Sequence, residues 1–400
     1  MPAISRPVRV LTSVLAVSAT VWLGAPPGAA AAAAPAPTPA KASSSPSPQK
    51  TPAPTTSPAQ SAASPTPPAP PAPDTPFPLP PAQPPAPAAS PAAPASPAKP
   101  ISVAPPTGKA DDGAYVASET WLDPRMADLK IGSLSVGAMV PVRIIVPASW
   151  SADSGGVTWP VLFLLHGAHD DYTAWTRETD VESFVANKNV IVVMPEDGPT
   201  GIPTRWWNGG KQKPDYETFD AVELMQLLER DYNAGSTRAV AGVSTGGYGA
   251  IMMAAHYPQT FAAAASYSGV LNTTYPGMPA VMRAIVARES IQPDALWGDP
   301  LHNIQLWNED NPYAQATNLR WTSLFLSCGD GQGPVRDLAL GQTLEHAIQP
   351  QNIAFANRLS VLGIPLQADF YTGGVHNWVS WKTAFTTSWP MLAASLGLPN

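Results

Sequence analysis

The sequence predicts an α/β protein: a mainly parallel central sheet with helices on both faces, preceded by a segment that does not fold. Three observations carry this prediction. Composition changes abruptly near residue 106, short β-branched runs alternate with longer helical patterns beyond it, and several of those runs are apolar at every position. A strand that is apolar on both sides needs cover on both sides. Regular alternation of strand and helix implies right-handed crossovers between parallel strands.

The chain opens with Arg6 and Arg9, an apolar stretch from Val10 to Gly24 and a run of small residues from Ala29. That is the pattern of a secretory signal over residues 1–34, shorter and more interrupted than a membrane span, with retention as an uncleaved anchor as the alternative. Between Pro35 and Pro106 lie 27 of the 50 prolines, with Ala, Ser, Thr and only four charges. Such a segment cannot bury enough apolar surface to offset its ordering entropy, so 35–106 is expected to be a disordered, polyproline-like spacer. A single catalytic domain is expected over 107–400.

Within that domain seven strands are expected: Val140–Pro147, Pro160–Gly167, Asn189–Glu196, Arg238–Ser244, Phe261–Gly269, Ser323–Gly329 and Pro365–Gly374. Helical patterns fall at Trp175–Val190, Tyr216–Tyr232, Gly246–His256, Pro279–Arg288, Gly341–Leu362 and Trp381–Leu396. In such sheets function gathers at the carboxyl ends of the strands.

Charge and motif content exclude several classes. Residues 1–106 carry a net +4, which leaves −11 for the rest of a chain whose total is −7, so nucleic acid is not an expected partner. The single cysteine, Cys328, rules out an internal disulfide. No CxxC pair or HExxH occurs, and neither a metal nor another cofactor is expected.

The sharpest local signal is Gly242-Val243-Ser244-Thr245-Gly246, set between the apolar strand Ala239–Val243 and the helical run after it. A strand, then G-x-S-x-G, then a helix is the nucleophile elbow of α/β-hydrolases. The glycines remove side chains where strand and helix crowd together, and the serine is lifted to a helix amino terminus, where developing negative charge is favoured. A serine needs a base. Of the six histidines, His376 follows the last expected strand on the Gly-rich stretch Thr372–Val375, whereas His302 precedes any good acid and His346 lies inside a helix. Two acids suit the order serine, acid, histidine: Asp330, directly after the strand Ser323–Gly329, and Glu345, at the start of the next helix. Spacing does not choose between them. An oxyanion site needs two N–H groups, expected from Thr245 and Ala168, with His166 holding the loop that carries Ala168.

These residues resemble the mycolyltransferase (antigen 85) family and the wider esterase D-like group of α/β-hydrolases. The likeness runs through His166–Trp175, Trp206–Gly210, Tyr216–Arg230, Ala239–Ala250, Tyr257–Asn272, Ala295–Pro300, Ser327–Gly331 and Gly374–Trp381. It implies a secreted enzyme that transfers an acyl group through a serine ester and needs no cofactor. It assigns Ser244 as nucleophile, His376 as base, Glu345 as acid ahead of Asp330, and Thr245 and Ala168 as oxyanion donors. It places Trp378 beside a polar acceptor, gives Asp171, with Asp170 and Trp175, either contact with that acceptor or a helix-capping and packing role, and matches Cys328 to a family cysteine near the site, a buried strand thiol being the default reading. Two positions depart from true mycolyltransferases: His166-Gly167 stands where those enzymes carry an aspartate, and Thr245 replaces a methionine of the acyl channel. The expected partner is an ester or lipid, with water, or a sugar or glycerol hydroxyl, as acceptor. The remaining expectations are a monomer that is secreted or associated with the cell envelope; the alternative reading is a non-catalytic envelope-binding protein on the same fold.

Overall fold

The structure is a computed structural model describing residues 100–333 and 339–399. The expected leader and all but the end of the expected spacer lie outside the described residues. Among the described residues ten strands form one sheet: β1 (Ile101–Val103), β2 (Tyr115–Trp121), β3 (Met126–Ser133), β4 (Ala138–Ile145), β5 (Trp159–Leu165), β6 (Ile191–Pro195), β7 (Ala234–Val243), β8 (Ala263–Tyr267), β9 (Ser323–Gly329) and β10 (Gln367–Tyr371). Their order is β1-β2-β3-β4-β6-β5-β7-β8-β9-β10. From β6 to β10 every pairing is parallel, and from β1 to β6 every pairing is antiparallel.

The parallel half matches the sequence expectation, and the strand expected at Val140–Pro147 is β4, but its antiparallel pairing and strands β1 to β3 do not appear in that expectation. Strands β2 and β3 alternate buried with half-exposed residues and carry Ser, Glu, Thr, Asp and Lys, so they lack the fully apolar signature of the inner strands. β1 lies within the segment assigned to the spacer, so ordered structure begins ahead of residue 107.

The helices are α1 (Ala174–Glu178), α2 (Val181–Phe184), α3 (Tyr216–Thr218), a π-helical stretch Phe219–Leu224 that runs into α4 (Met225–Asp231), α5 (Thr245–His256), α6 (Met278–Arg288), α7 (Ile304–Glu309), α8 (Pro312–Gln315), α9 (Ala339–Val361) and α10 (Trp378–Ser395). The single helix expected over Trp175–Val190 is instead α1 and α2. Thr179 between them is extended (φ −130, ψ 177) and its hydroxyl bonds back to the Trp175 carbonyl, a local alternative to helical continuation.

Two cores flank the sheet. On β5, Val161, Phe163 and Leu165 join one, and Leu162 and Leu164 join the other. The first core is covered by α4, α5 and α9, the second by α1, α2 and α10. Each fully buried Leu, Phe or Val contributes about 1.5–3 kcal/mol relative to exposure, which explains why these strands read as unbroken apolar runs. A third cluster joins Tyr248 and Met252 of α5 to Met278 and Met282 of α6 and to Trp297 and Trp307, fixing the insert between β8 and β9 over one end of α5.

Candidate active site

The carboxyl ends of β5, β7, β8, β9 and β10 carry, in turn, His166–Ala168, Ser244, Ser268, Asp330 and the loop to His376. Ser244 has φ 54 and ψ −120, a conformation an L-residue adopts at a cost of about 1–3 kcal/mol. Its surroundings enforce it: a Cβ on Gly242 would strike the Gly246 carbonyl, and one on Gly246 would strike the His166 carbonyl. Three glycines in α5 cost about 1 kcal/mol each in helix propensity, offset because the helix is buried on all sides.

Ser244 Oγ lies 2.9 Å from His376 Nε2, and His376 Nδ1 lies 2.9 Å from Glu345 Oε2. Ser244 is 8% exposed and Glu345 0%, so the chain of hydrogen bonds runs from a cavity floor into the core. Burial pushes the Glu345 carboxyl up, but bonds from His376, Ser268 Oγ (2.6 Å) and the Gly329 N–H (2.8 Å) outweigh it and hold it below its ordinary value. A carboxylate kept ionised against His376 Nδ1 sets the imidazole tautomer that leaves Nε2 free to accept from Ser244.

Asp330, the other acid the spacing allows, is not part of this chain. Its carboxylate accepts from the Gln332 and Gly373 N–H groups, both at 2.9 Å, so it braces the Gly-rich loop, and those bonds hold its pKa low. Of the two roles open to Asp171, the bonds it makes are those of the capping role. It accepts from the Thr173 N–H (2.8 Å) and hydroxyl (2.5 Å) just before α1, and its neighbour Asp170 lines the cavity instead. The alternation of side-chain direction between adjacent loop residues decided which carboxylate faced inward.

Trp378 lines the cavity, and its indole N–H donates to Asp170 Oδ2 at 3.2 Å. Cys328 is buried beneath the acid, with its thiol donating to Glu345 Oε1 at 3.4 Å; burial first, and the Glu345 charge second, push its pKa up. Two contributors were missed in the sequence. Ser268 links the Trp381 N–H (3.2 Å) to Glu345, and Trp381 packs edge-on against the His376 ring at 4.9 Å. Their signals were a strand-end position in Tyr267-Ser268-Gly269 and a tryptophan five residues after the histidine, neither specific alone.

The cavity holds about 340 Å³. One wall is apolar, built by Val270, by Val281 and Ile285 of α6, and by Leu344 and Ile348 of α9. The lining also carries polar groups at Asp170, Asn377 and Arg288, the last at the end of α6. The N–H groups of Ala168 and Thr245 have no acceptor among the described residues, and Ala168 lines the cavity. Thr245 opens α5, where the first N–H groups have no partner within the helix. A larger cavity of about 460 Å³ lies elsewhere, around Arg205, Trp207 and His256, away from Ser244.

A serine on a strand-to-helix elbow of a mainly parallel sheet, bonded to a histidine that is bonded to a buried acid, defines an α/β-hydrolase. The chain belongs to the putative esterase family, whose model matches residues 133–392. It is 28% identical over 278 residues to an esterase of Mycobacterium tuberculosis, covering 67% of this chain but only 59% of that protein's length. It is also 28% identical over 286 residues to the diacylglycerol acyltransferase/mycolyltransferase Ag85B of Mycobacterium intracellulare, covering 67% of this chain and 83% of that one. The fold is similar to that of MPT51 from Mycobacterium tuberculosis (TM-score 0.57, 22% identity, 66% of this chain and 96% of that one). It is also similar to that of the Staphylococcus aureus serine hydrolase FphF (TM-score 0.53, 20% identity, 67% and 97%).

Proposed function

We propose that the protein is a serine carboxylic-ester hydrolase or acyltransferase that works through an acyl-enzyme on Ser244. The observation that carries this reading is the unbroken hydrogen-bond chain Ser244–His376–Glu345 at the floor of a cavity with one apolar wall. As Ser244 Oγ attacks the ester carbonyl, His376 Nε2 takes its proton, and Glu345 stabilises the resulting imidazolium. The carbonyl oxygen gains negative charge and is received by the N–H groups of Ala168 and Thr245, each such donor being worth about 2.7–4 kcal/mol in comparable sites. His376 then returns the proton to the departing alkoxide, leaving the acyl group on Ser244. Water, or a substrate hydroxyl, deprotonated by the same imidazole, attacks the acyl carbonyl and frees the serine.

The apolar wall favours the acyl side of the ester, and Asp170 with Trp378 supplies a polar rim for the alcohol or acceptor side. The similarity to Ag85B favours transfer to a sugar or glycerol hydroxyl as the second reading. Turnover of a p-nitrophenyl ester, with and without trehalose or glycerol, separates the two. Acylated acceptor among the products supports transfer, and free acid alone supports hydrolysis. Ser244→Ala should lower kcat by at least about 10⁴-fold, as loss of a serine nucleophile does elsewhere. Unchanged turnover in that variant refutes the assignment and restores the non-catalytic reading. The basic and apolar start of the chain supports export, with the Pro-rich spacer holding the enzyme at an envelope surface.

A further inference from the structure

Behind the peptide Gly167–Ala168 lies a group of buried polar side chains that the proposed reaction does not use. The His166 ring, in a residue 1% exposed, joins two main-chain groups: Nδ1–H donates to the Gly167 carbonyl oxygen at 2.8 Å, and Nε2 accepts from the Asp197 N–H at 3.0 Å. The second bond requires Nε2 without a proton, so the ring is neutral with its hydrogen on Nδ1. The carbonyl it holds belongs to the same planar unit as the Ala168 N–H. Fixing one end of that plane aims the other, and polarising the carbonyl strengthens the N–H as a donor. Gly201, at φ 53, braces the same unit: a Cβ there would stand 2.5 Å from the Gly167 oxygen and 3.1 Å from the Ala168 nitrogen. His169 N–H donates to the Pro199 carbonyl at 2.9 Å, so the 197–201 loop is the bed on which this peptide rests.

Asp197 and Asp220 are both 0% exposed, and all four of their carboxyl oxygens lack an N–H or hydroxyl donor. The two carboxyls are within hydrogen-bonding reach of each other. Two adjacent buried carboxylates without donors cannot both be ionised, and the missing donor is a proton on one of them. Asp220 sits on the π-helical stretch Phe219–Leu224, an irregularity often found at functional sites. The titratable groups facing the pair are His166, Glu196, Tyr216, Glu217 and Glu223. Of these, His166 is the base that a doubly ionised pair would protonate. A proton on Nε2 would oppose the Asp197 N–H and break the bond that holds the ring.

We propose that Asp197 and Asp220 are a proton-sharing carboxyl pair that keeps His166 neutral and thereby positions the Gly167–Ala168 peptide for the transition state. This rests on the reading of the Ala168 N–H as an oxyanion donor. All three are positioning residues acting through that peptide. Burial pushes Asp197 up to about 7 and Asp220 well above the carboxylate range, so at neutral pH the pair retains a proton.

The test compares wild type, Asp220→Asn and Asp220→Leu on a p-nitrophenyl ester, with fluorophosphonate labelling of Ser244 and ¹⁵N NMR of the wild-type His166 ring. The Asn variant supplies an N–H in place of the proton and keeps kcat within about threefold. The Leu variant loses about 30- to 100-fold in kcat with KM little changed, since the contact it disturbs operates in the transition state. A folded Leu variant with full kcat, or an Asn variant as impaired as Leu, overturns the inference. If the Leu variant does not fold, the NMR decides: a neutral Nδ1–H ring held from about pH 6 to 9 supports the pair, whereas an imidazolium or an Nε2–H ring overturns it. Failure of wild-type Ser244 to label refutes the functional reading instead, and the ring tautomer still judges the pair.

Discussion

At the scale of single residues, the choice of acid illustrates how much a hydrogen-bond inventory decides. Asp330 directly follows β9 and Glu345 lies on α9, the next helix, and the donors of the two carboxylates differ in kind. Glu345 receives the imidazole, a hydroxyl and one N–H in a buried site, whereas Asp330 is occupied by two backbone N–H groups of its own loop. Glu345→Gln should therefore lower kcat by about 10⁴-fold, because an amide can donate to Nδ1 and stabilise the wrong tautomer. Asp330→Asn should stay within about twofold, since an amide oxygen still accepts from the loop. Steady-state kinetics of both variants checks the pair, and the reverse ranking would move the acid to Asp330.

At the scale of elements, the elbow is a strained turn held between β7, β5 and α5. The His166 carbonyl at the end of β5 leaves no room for a methyl group on Gly246. Gly246→Ala should cost about 1–3 kcal/mol of stability by overpacking, read from urea denaturation. It should also reduce turnover beyond what lost stability explains, since Ser244 would move relative to His376. An unchanged midpoint would mean that the turn is looser than its contacts imply. The same crowding explains why a poor helix former such as the Gly-rich start of α5 is tolerated: burial on every side outweighs propensity.

At the scale of the whole molecule, buried ionisable groups set the response to pH. Asp197 and Asp310 are pushed up to about 7 by burial. His256 is pushed up to about 9: burial opposes this, but the hydrogen bond to Glu217 prevails. All three are raised in the folded state, so each holds more proton when folded than unfolded, and its contribution is lost as pH rises through the folded value. The carboxyl contributions fade between about pH 4 and 7, and that of His256 between about pH 6.5 and 9. Calorimetry should show Tm falling steadily from about pH 5 to 9; a Tm that rises over this range contradicts those burials. The Pro-rich segment should be neutral to catalysis. Deleting 35–99, which leaves β1 in place, is expected to leave kcat unchanged and alter retention at the cell surface, as fractionation of expressing cells would show.

The sequence by itself determined the parallel half of the sheet, the elbow at Ser244 and the histidine bonded to it, and it narrowed the acid to Glu345 or Asp330. Unbroken apolar runs and a glycine-spaced serine are local patterns with one structural solution. Tertiary structure alone decided strands β1 to β3, where β2 and β3 carry no fully apolar signal, the antiparallel pairing of β4, and the break between α1 and α2, where a threonine hydroxyl competes with the helix. It also decided that Asp170 rather than Asp171 lines the cavity, that Ser268 bonds Glu345 and Trp381 packs on His376, and that Asp197 and Asp220 are buried without donors, with the Asp197 N–H bonded to the His166 ring. Those outcomes depend on which side chains meet across elements, and the spacing of residues along one chain does not encode such meetings.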